Sequence, residues 1–409
     1  MTAMLKRIGT DQLRLGMYVQ EILGPWMNHP FWRGSFKLDQ QDDLKTLRNS
    51  KIDQVLIDTA KGYDILIDPP APPAPAATQH APSADKVKPP VPSKIAIHVS
   101  TEQEREVAAQ VLTSSRQAIL TLFNQTRMGK ALDVRQALPV VQEITASVSR
   151  NSGALLSLAR LKSTDDYTYM HSVAVCALMI SLGHQLGLSA EETRQAGLAG
   201  LLHDIGKMEV PANILNKPGK LTDDEFISVK KHAQAGHDML RNVDGIGAAA
   251  LDVCLHHHEK IDGSGYPFNL KGKQISLMAK MGAVCDVYDA MTSERPYKAG
   301  WEPGHSVKRM ANSQGHFDDS VLEAFIKSVG IFPTGTCVQM QSGKVGIVVD
   351  QHPGSLLTPK VKVFFSTHTG STIPIEIIDL ATSRSGDKIA SHADPVKLKL
   401  PSLEAIWAN

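Results

Sequence analysis

Apolar positions recur at the helical period through the middle of the chain and at the strand period only toward its two ends. Between residues 101 and about 132, Val107, Val111, Leu112, Ile119, Leu122 and Phe123 form one stripe, which predicts an amphipathic helix. A second helix is expected over about 134–149, and further helices follow almost without interruption to about 329. Two of them carry explicit start signals, Ser189 with Glu192 and Thr222 with Glu225. In such a pair the hydroxyl accepts from a free amide of the first turn while the carboxylate reaches back to the cap. Upstream, residues 55–58 and 65–67 read as short buried strands and 42–49 as a helix. After Pro333 come three β-branched runs, at 337–340, 345–349 and 361–365, separated by turn residues. These predict a small β appendage, a partly closed barrel or a meander. The expected fold is therefore mainly α: an all-α helical domain with a small mixed α/β N-terminal domain and a small β-rich C-terminal appendage.

Composition sharpens the boundaries. Residues 69–92 hold nine of the chain's 23 prolines, mixed with Ala, Ser and Lys, a stretch unable to bury apolar surface. The expected division is 1–68, a linker at 69–94, a helical domain at 95–332 and the appendage at 333–409. At 409 residues and 42% apolar content there is ample core for two or three domains. Forty-three basic residues against 42 acidic ones exclude a protein built to coat a nucleic-acid polymer. Cys176, Cys254, Cys285 and Cys337 show no C-x-x-C spacing, and the first three sit in apolar helical settings, as small core residues do. With no apolar leader among residues 1–16, and with the best apolar run (173–182) far short of the ~20 residues that span a bilayer, a cytoplasmic protein without membrane insertion is expected.

Chemistry concentrates in five blocks. His203 and Asp204 are adjacent near the end of an apolar helix expected over 193–205, where neighbours point about 100° apart and can lean into two sides of one site. Gly206 is expected to end that helix, and Lys207 then places an ammonium beside the pair. His171 opens a helix expected to begin near Asp165, and His232 lies on one stripe of a helix expected over 222–243. Each alone is a packed or half-exposed histidine. His256, His257 and His258 cannot all occupy one helix face, so at least one meets a polar centre. Asp286 and Asp289 recur three apart inside an apolar helix over 277–291, where carboxylates are expensive to bury without a cation or donor. Imidazole with carboxylate suits Fe, Mn, Zn or Ni rather than Mg or Ca alone.

The arrangement His203-Asp204-x-Gly206-Lys207, followed by His257-His258-Glu259-x-x-Asp262-Gly263-x-Gly265-Tyr266-Pro267, resembles the signature of the HD-GYP family over roughly residues 100–330. These are bacterial phosphodiesterases of the HD superfamily that hydrolyse cyclic di-GMP. The first 68 residues resemble a small domain often found ahead of such modules. The resemblance implies metal ligands at His171, His203, Asp204, His232, His257, His258 and Asp286, with Asp204 and Lys207 in catalysis. It implies phosphate-holding roles for Lys207, Arg295 and Lys298, and a substrate-side and partner-recognition loop at Gly265, Tyr266 and Pro267. Some members carry a glutamate four residues before the first histidine that helps bind a third metal. Tyr167 stands there, so two divalent transition metals are expected, Fe or Mn first and Zn or Ni next. His256 is extra to the histidine pair and reads as structural or as support behind the ligands.

The implied reaction is cleavage of cyclic di-GMP to pGpG and, with a second cut, GMP, through a metal-activated hydroxide. Cyclic GMP-AMP is an alternative substrate, and a phosphohydrolase of the wider HD superfamily is a more distant enzyme reading. A catalytically silent cyclic di-GMP receptor acting through protein contacts is the non-enzymatic alternative. A homodimer and protein partners at the Gly-Tyr-Pro loop are further possibilities.

Overall fold

The computed structural model describes residues 5–23, 36–48, 52–64, 99–129, 133–160, 167–217, 219–293, 300–352, 355–383, 386–395, 397–400, 403 and 406. The strand expected at 65–67, the proline-rich stretch, Arg295 and Lys298 lie outside these. The chain divides into two compact units, Met1–Ile97 and His98–Asn409.

In the first unit, strands β1 (Leu5–Gly9), β2 (Tyr18–Leu23), β3 (Phe36–Lys37) and β4 (Gln54–Asp58) form an antiparallel sheet in the order β1-β4-β2-β3, with helix α1 (Gln41–Arg48) between β3 and β4. Leu13, Met17, Val19, Leu38, Leu47, Val55 and Ile57 are fully buried in its core. Alternation along β4 places Val55 and Ile57 inward.

The second unit is helical, with a β-sheet at its C-terminal end. Its helices are α2 (Thr101–Arg127), α3 (Ala137–Arg160), α4 (Tyr167–Gln185), α5 (Ala190–Leu202), α6 (Ala212–Leu215), α7 (Asp223–Lys230), α8 (His232–Leu240), α9 (Ala248–His256), α10 (Leu277–Thr292), α11 (Pro303–Ala311) and α12 (Asp319–Val329). Both expected capping boxes form, with the Ser189 and Thr222 hydroxyls accepting from the amides of Glu192 and Glu225. Helix α4 is the hub. It is buried all round from Met170 to Leu182 and packs against α3, α5, α10 and α12, so it has no solvent-facing stripe. In the α2 stripe, Val107 departs from expectation and is 40% exposed, while Val111, Leu112, Ile119, Leu122 and Phe123 are core.

Three helix boundaries differ from the sequence reading. Helix α3 continues past residue 149 to Arg160, but with an extended residue, Asn151, inside it (φ −162°, ψ 104°). The Asn151 side chain caps the second half by accepting from the Ala154 amide and donates to the Val99 carbonyl. The helix expected over 193–205 stops at Leu202, and a 3-10 turn runs from Ile205 to Glu209. The helix expected over 222–243 is two, α7 and α8, hinged at Lys231.

Strands β5 (Cys337–Met340), β6 (Lys344–His352), β7 (Ser355–Ser366), β8 (Ser371–Asp379) and β9 (Ile389–His392) form an antiparallel sheet ordered β8-β7-β6-β5-β9. It is a meander in which the last strand returns to the free edge of β5. The β-branched but largely exposed β8 (Ile375 52% and Ile377 53% exposed) and the short β9 are additional to the strands expected from sequence. Asp350 on β6 accepts from Thr101 at the start of α2 (3.1 Å), so the sheet is bonded into the helical unit. All four cysteines are buried and free. Among the described residues no helix is long and apolar enough to cross a membrane.

Candidate metal centre

Five helical segments deliver seven ligand-type side chains to one buried point. His171 comes from the first turn of α4, His203 and Asp204 from the exit of α5, and His232 from the first residue of α8. His257 and His258 come from the exit of α9, and Asp286 from the middle of α10. All but His258 are at most 7% exposed. The expected ligand set therefore converges.

Helix ends explain how the rings are aimed. Carbonyls in the last turns of three helices hold three of the rings. The Nδ1 of His203 donates to Gly200 O (2.7 Å), that of His232 to Val229 O (2.7 Å) and that of His257 to Val253 O (2.9 Å). With Nδ1 engaged, each ring presents Nε2 to the centre as a lone-pair donor. At the break between α7 and α8, His232 lies three residues beyond Val229 and its ring reaches that carbonyl. His171 uses a carboxylate instead, with Nδ1 2.7 Å from Asp289 Oδ2. Ser293 in turn donates to the other Asp289 oxygen (3.1 Å).

Asp204 sits between two ligand groups. Its Oδ1 is 3.3 Å from His232 Nε2 and 3.8 Å from His257 Nε2. Its Oδ2 is 3.3 Å from His203 Nε2 and 3.5 Å from His171 Nε2. Asp286 lies 3.0 Å from His171 Nε2 through Oδ1 and 3.8 Å from His258 Nδ1 through Oδ2. Two sets follow, Asp204 with His232, His257 and His258, and His171 with His203 and Asp286. In each set the donor atoms lie within 4.8 Å of one another, as a metal ion requires. Lys207, from the 3-10 turn, bonds to Asp204 Oδ2.

The electrostatics fit a cation. Burial would raise the Asp204 carboxyl, but Lys207 and His203 outweigh it and hold it well below the usual range. Burial likewise opposes ionisation of Asp286, and the bond to His171 overrides it. Burial lowers His232 and, far more, His257, and it pushes His258 down to about 3, so these rings are neutral, the form that ligates. His171 is the exception. Burial lowers it, but bonds to Asp286 and Asp289 prevail and draw a proton to where a metal would sit. His203 Nε2 and Asp204 Oδ1 are buried with no hydrogen-bond partner. Unpaired buried polar atoms are costly, and a divalent ion would satisfy both.

The loop after α9 closes over this centre. Glu259, 2% exposed, accepts from the amides of Phe268 (2.7 Å) and Leu270 (3.0 Å) and pins the loop. A Cβ on Gly265 would lie 2.4 Å from Lys260 N and 2.5 Å from Glu259 Cα, so only glycine permits this fold-back. Tyr266, joined to Pro267 by a cis peptide, stacks on the His258 ring at 4.6 Å. Burial holds its phenol well above the ordinary range, hence protonated. His256 turns away and meets Asp252 at 2.7 Å, a structural role.

Asp289 and Glu259 were not singled out as site residues from sequence. The three-residue spacing from Asp286 was the available signal for Asp289. Glu259 stands inside the signature motif, but its role in pinning the loop depends on the Phe268 and Leu270 amides that folding brings to it. Replacing Asp289 with Asn should weaken metal retention by about 10–100-fold, as loss of a ligand-orienting carboxylate typically does. Metal titration into stripped protein checks this, and unchanged affinity would show that Asp289 does not orient His171.

Residues 5–137 match the family described as a domain of unknown function (DUF3391), and residues 145–321 match the HD domain. The chain is 51% identical over 407 residues to a cyclic di-GMP phosphodiesterase of Pseudomonas aeruginosa, covering 99% of this chain and 96% of that protein. It is 37% identical over 201 residues to the cyclic di-GMP phosphodiesterase response regulator RpfG of Xanthomonas campestris, covering 47% and 53%. It is 33% identical over 177 residues to 3'3'-cGAMP-specific phosphodiesterase 1 of Vibrio cholerae, covering 43% and 41%. Identity of this degree along nearly two whole chains, with His171, His203, Asp204, His232, His257, His258 and Asp286 meeting at one buried point, leaves a single assignment: the chain belongs to the HD-GYP family of HD-domain phosphodiesterases.

Proposed function

We infer that the protein is a metal-dependent phosphodiesterase that opens cyclic di-GMP to pGpG, and to GMP where a second cut follows. The observation that carries this reading is Asp204, buried at 0% exposure, with one oxygen toward each ligand group. We place two divalent metals there, Fe or Mn in preference to Zn or Ni, because the donors are nitrogen and carboxylate oxygen without thiolate. Tyr167 in place of a glutamate supports two rather than three. Metals so held lower the pKa of a bound water toward ~7 and polarise the phosphoryl oxygen.

The chain's own residues do the rest. His203, His232 and His257 are aimed by backbone carbonyls, so little reorganisation is needed on binding. Lys207, at 21% side-chain exposure, reaches the centre from the solvent side. There it can offset charge developing on the phosphoryl oxygens or give a proton to the departing ribose oxygen. Arg295 and Lys298 are assigned to the substrate phosphates by resemblance, and Gly265 to Pro267 to the substrate-side wall and to partner recognition. Four buried free thiols agree with a reducing cytoplasm.

A second substrate, 3'3'-cyclic GMP-AMP, is favoured by one observation, the 33% identical relative named for it. A silent receptor is disfavoured because every two-metal ligand position is filled. The test is turnover of cyclic di-GMP, cyclic GMP-AMP and linear dinucleotides by anaerobically prepared protein with Mn or Fe(II). Treatment with a chelator should abolish turnover and re-addition of metal restore it. Turnover that survives metal removal, or cyclic di-GMP bound but never cut in any metal, would overturn this reading.

A further inference from the structure

Lys230 closes α7, two residues before His232. Its ammonium lies 4.7 Å from the centroid of the Phe226 ring and 5.2 Å from that of Tyr266. Tyr266 stacks on His258, whose ring is 4.0 Å from His257. A continuous ladder therefore runs from the solvent, where Phe226 is 46% exposed, through Lys230 and Tyr266 to the buried centre.

Lys207, Lys217 and Lys280 each pair with an acid, Asp204, Glu225 and Asp318 respectively. Among the described residues Lys230 meets only the two aromatic faces and no carboxylate. Aromatic faces hold an ammonium and leave its charge intact. They also remove much of the rotamer freedom a lysine otherwise loses on binding. A pre-positioned, un-neutralised cation at the mouth of a cation-binding centre is built to meet an anion.

A cyclic dinucleotide carries two phosphates. When one lies at the histidine–aspartate centre, the other is left on the open side, where Phe226, Lys230 and Tyr266 stand. We propose that Lys230 binds the second, uncut phosphate of the cyclic substrate, held for that task by Phe226 and Tyr266. The proposal rests on the functional reading above and adds a residue that the signature motifs do not include.

The test is equilibrium binding of cyclic di-GMP, and of the single-phosphate diester bis(p-nitrophenyl) phosphate, to metal-loaded protein. Lys230→Met should weaken cyclic di-GMP binding by about tenfold, equivalent to ~1.4 kcal/mol. The loss should shrink at high salt, as expected for an exposed ion pair. Lys230→Arg should recover most of the affinity, and Phe226→Ala should cost about two- to threefold. The effect of Lys230→Met on the single-phosphate diester should be several-fold smaller. A thermal midpoint equal to the parent's confirms that the fold is intact. Affinity for cyclic di-GMP within twofold of the parent, or an equal loss for both ligands, overturns the proposal and leaves the functional reading standing. Failure of the unaltered protein to bind cyclic di-GMP overturns both.

Discussion

Replacing Asp204 with alanine should lower turnover of cyclic di-GMP by about 10³-fold or more and leave the purified protein short of metal in both ligand groups. The reason is geometric. Each oxygen of this one carboxylate faces a different set of imidazoles, at 3.3 Å in each case for the nearer ring, so its loss opens both sets together. It also strands Lys207, which bonds to Asp204 and has no second acid among the described residues. Asp204→Asn separates charge from shape. The amide fills the same space but brings no negative charge to two cations, so retention should fall nearly as far while the fold persists. Metal analysis after anaerobic dialysis, read beside turnover, checks both variants. A variant retaining two ions and parental turnover would remove Asp204 from its bridging position. His258→Ala should be milder, since His258 belongs to one group and is the most exposed of the set.

The second large effect is expected at a residue that offers no ligand atom of its own. Gly206 packs so tightly on α8 that an added Cβ would lie 2.0 Å from His232 O and 2.4 Å from Gly236 N. Both are backbone atoms, which cannot swing aside as a side chain could. Gly206→Ala must therefore push the 205–209 turn off α8, moving His203 and Asp204 away from His232. Overpacking of this kind costs about 1–3 kcal/mol, and a fall in thermal midpoint of roughly 2–5 °C is expected with it in a unit of this size. Metal affinity should fall as well, because the two halves of the Asp204 set are carried by the separated elements. Calorimetry of stripped and metal-loaded protein distinguishes the two consequences. An unchanged midpoint with unchanged metal content would show that the turn and α8 are not in this close contact.

Gly206 also shows where a local reading misjudges a residue. In the chain it looks like a helix terminator, yet α5 has already stopped at Leu202, and the glycine is needed for a contact with a helix that begins 26 positions later. Lys231 carries the same lesson. The apolar stripe runs unbroken across it, but the helix is divided there, and the His232 ring just beyond bonds to the Val229 carbonyl and joins the centre. Asn151 adds a third case, where a side chain both ends one helical segment and caps the next. The N-terminal strand at 54–58, the helix at 41–48 and the first three strands after Pro333 emerged close to their expected positions.

What could be read from the order of residues was everything set by short-range periodicity and by residue chemistry. That includes a helical body flanked by small β elements, the capping boxes, and a pool of imidazoles and carboxylates too large to be packing. Those features depend on neighbours within a turn or two, so the linear pattern contains them. The pairing of donors into two groups about Asp204, the carbonyls that aim each ring, the support from Asp289 and Glu259, and the ladder through Lys230 depend on contacts between helices far apart in the chain. Such contacts are set by how α4, α5, α8, α9 and α10 pack against one another, and no local pattern encodes the distance between two side chains that only packing brings together.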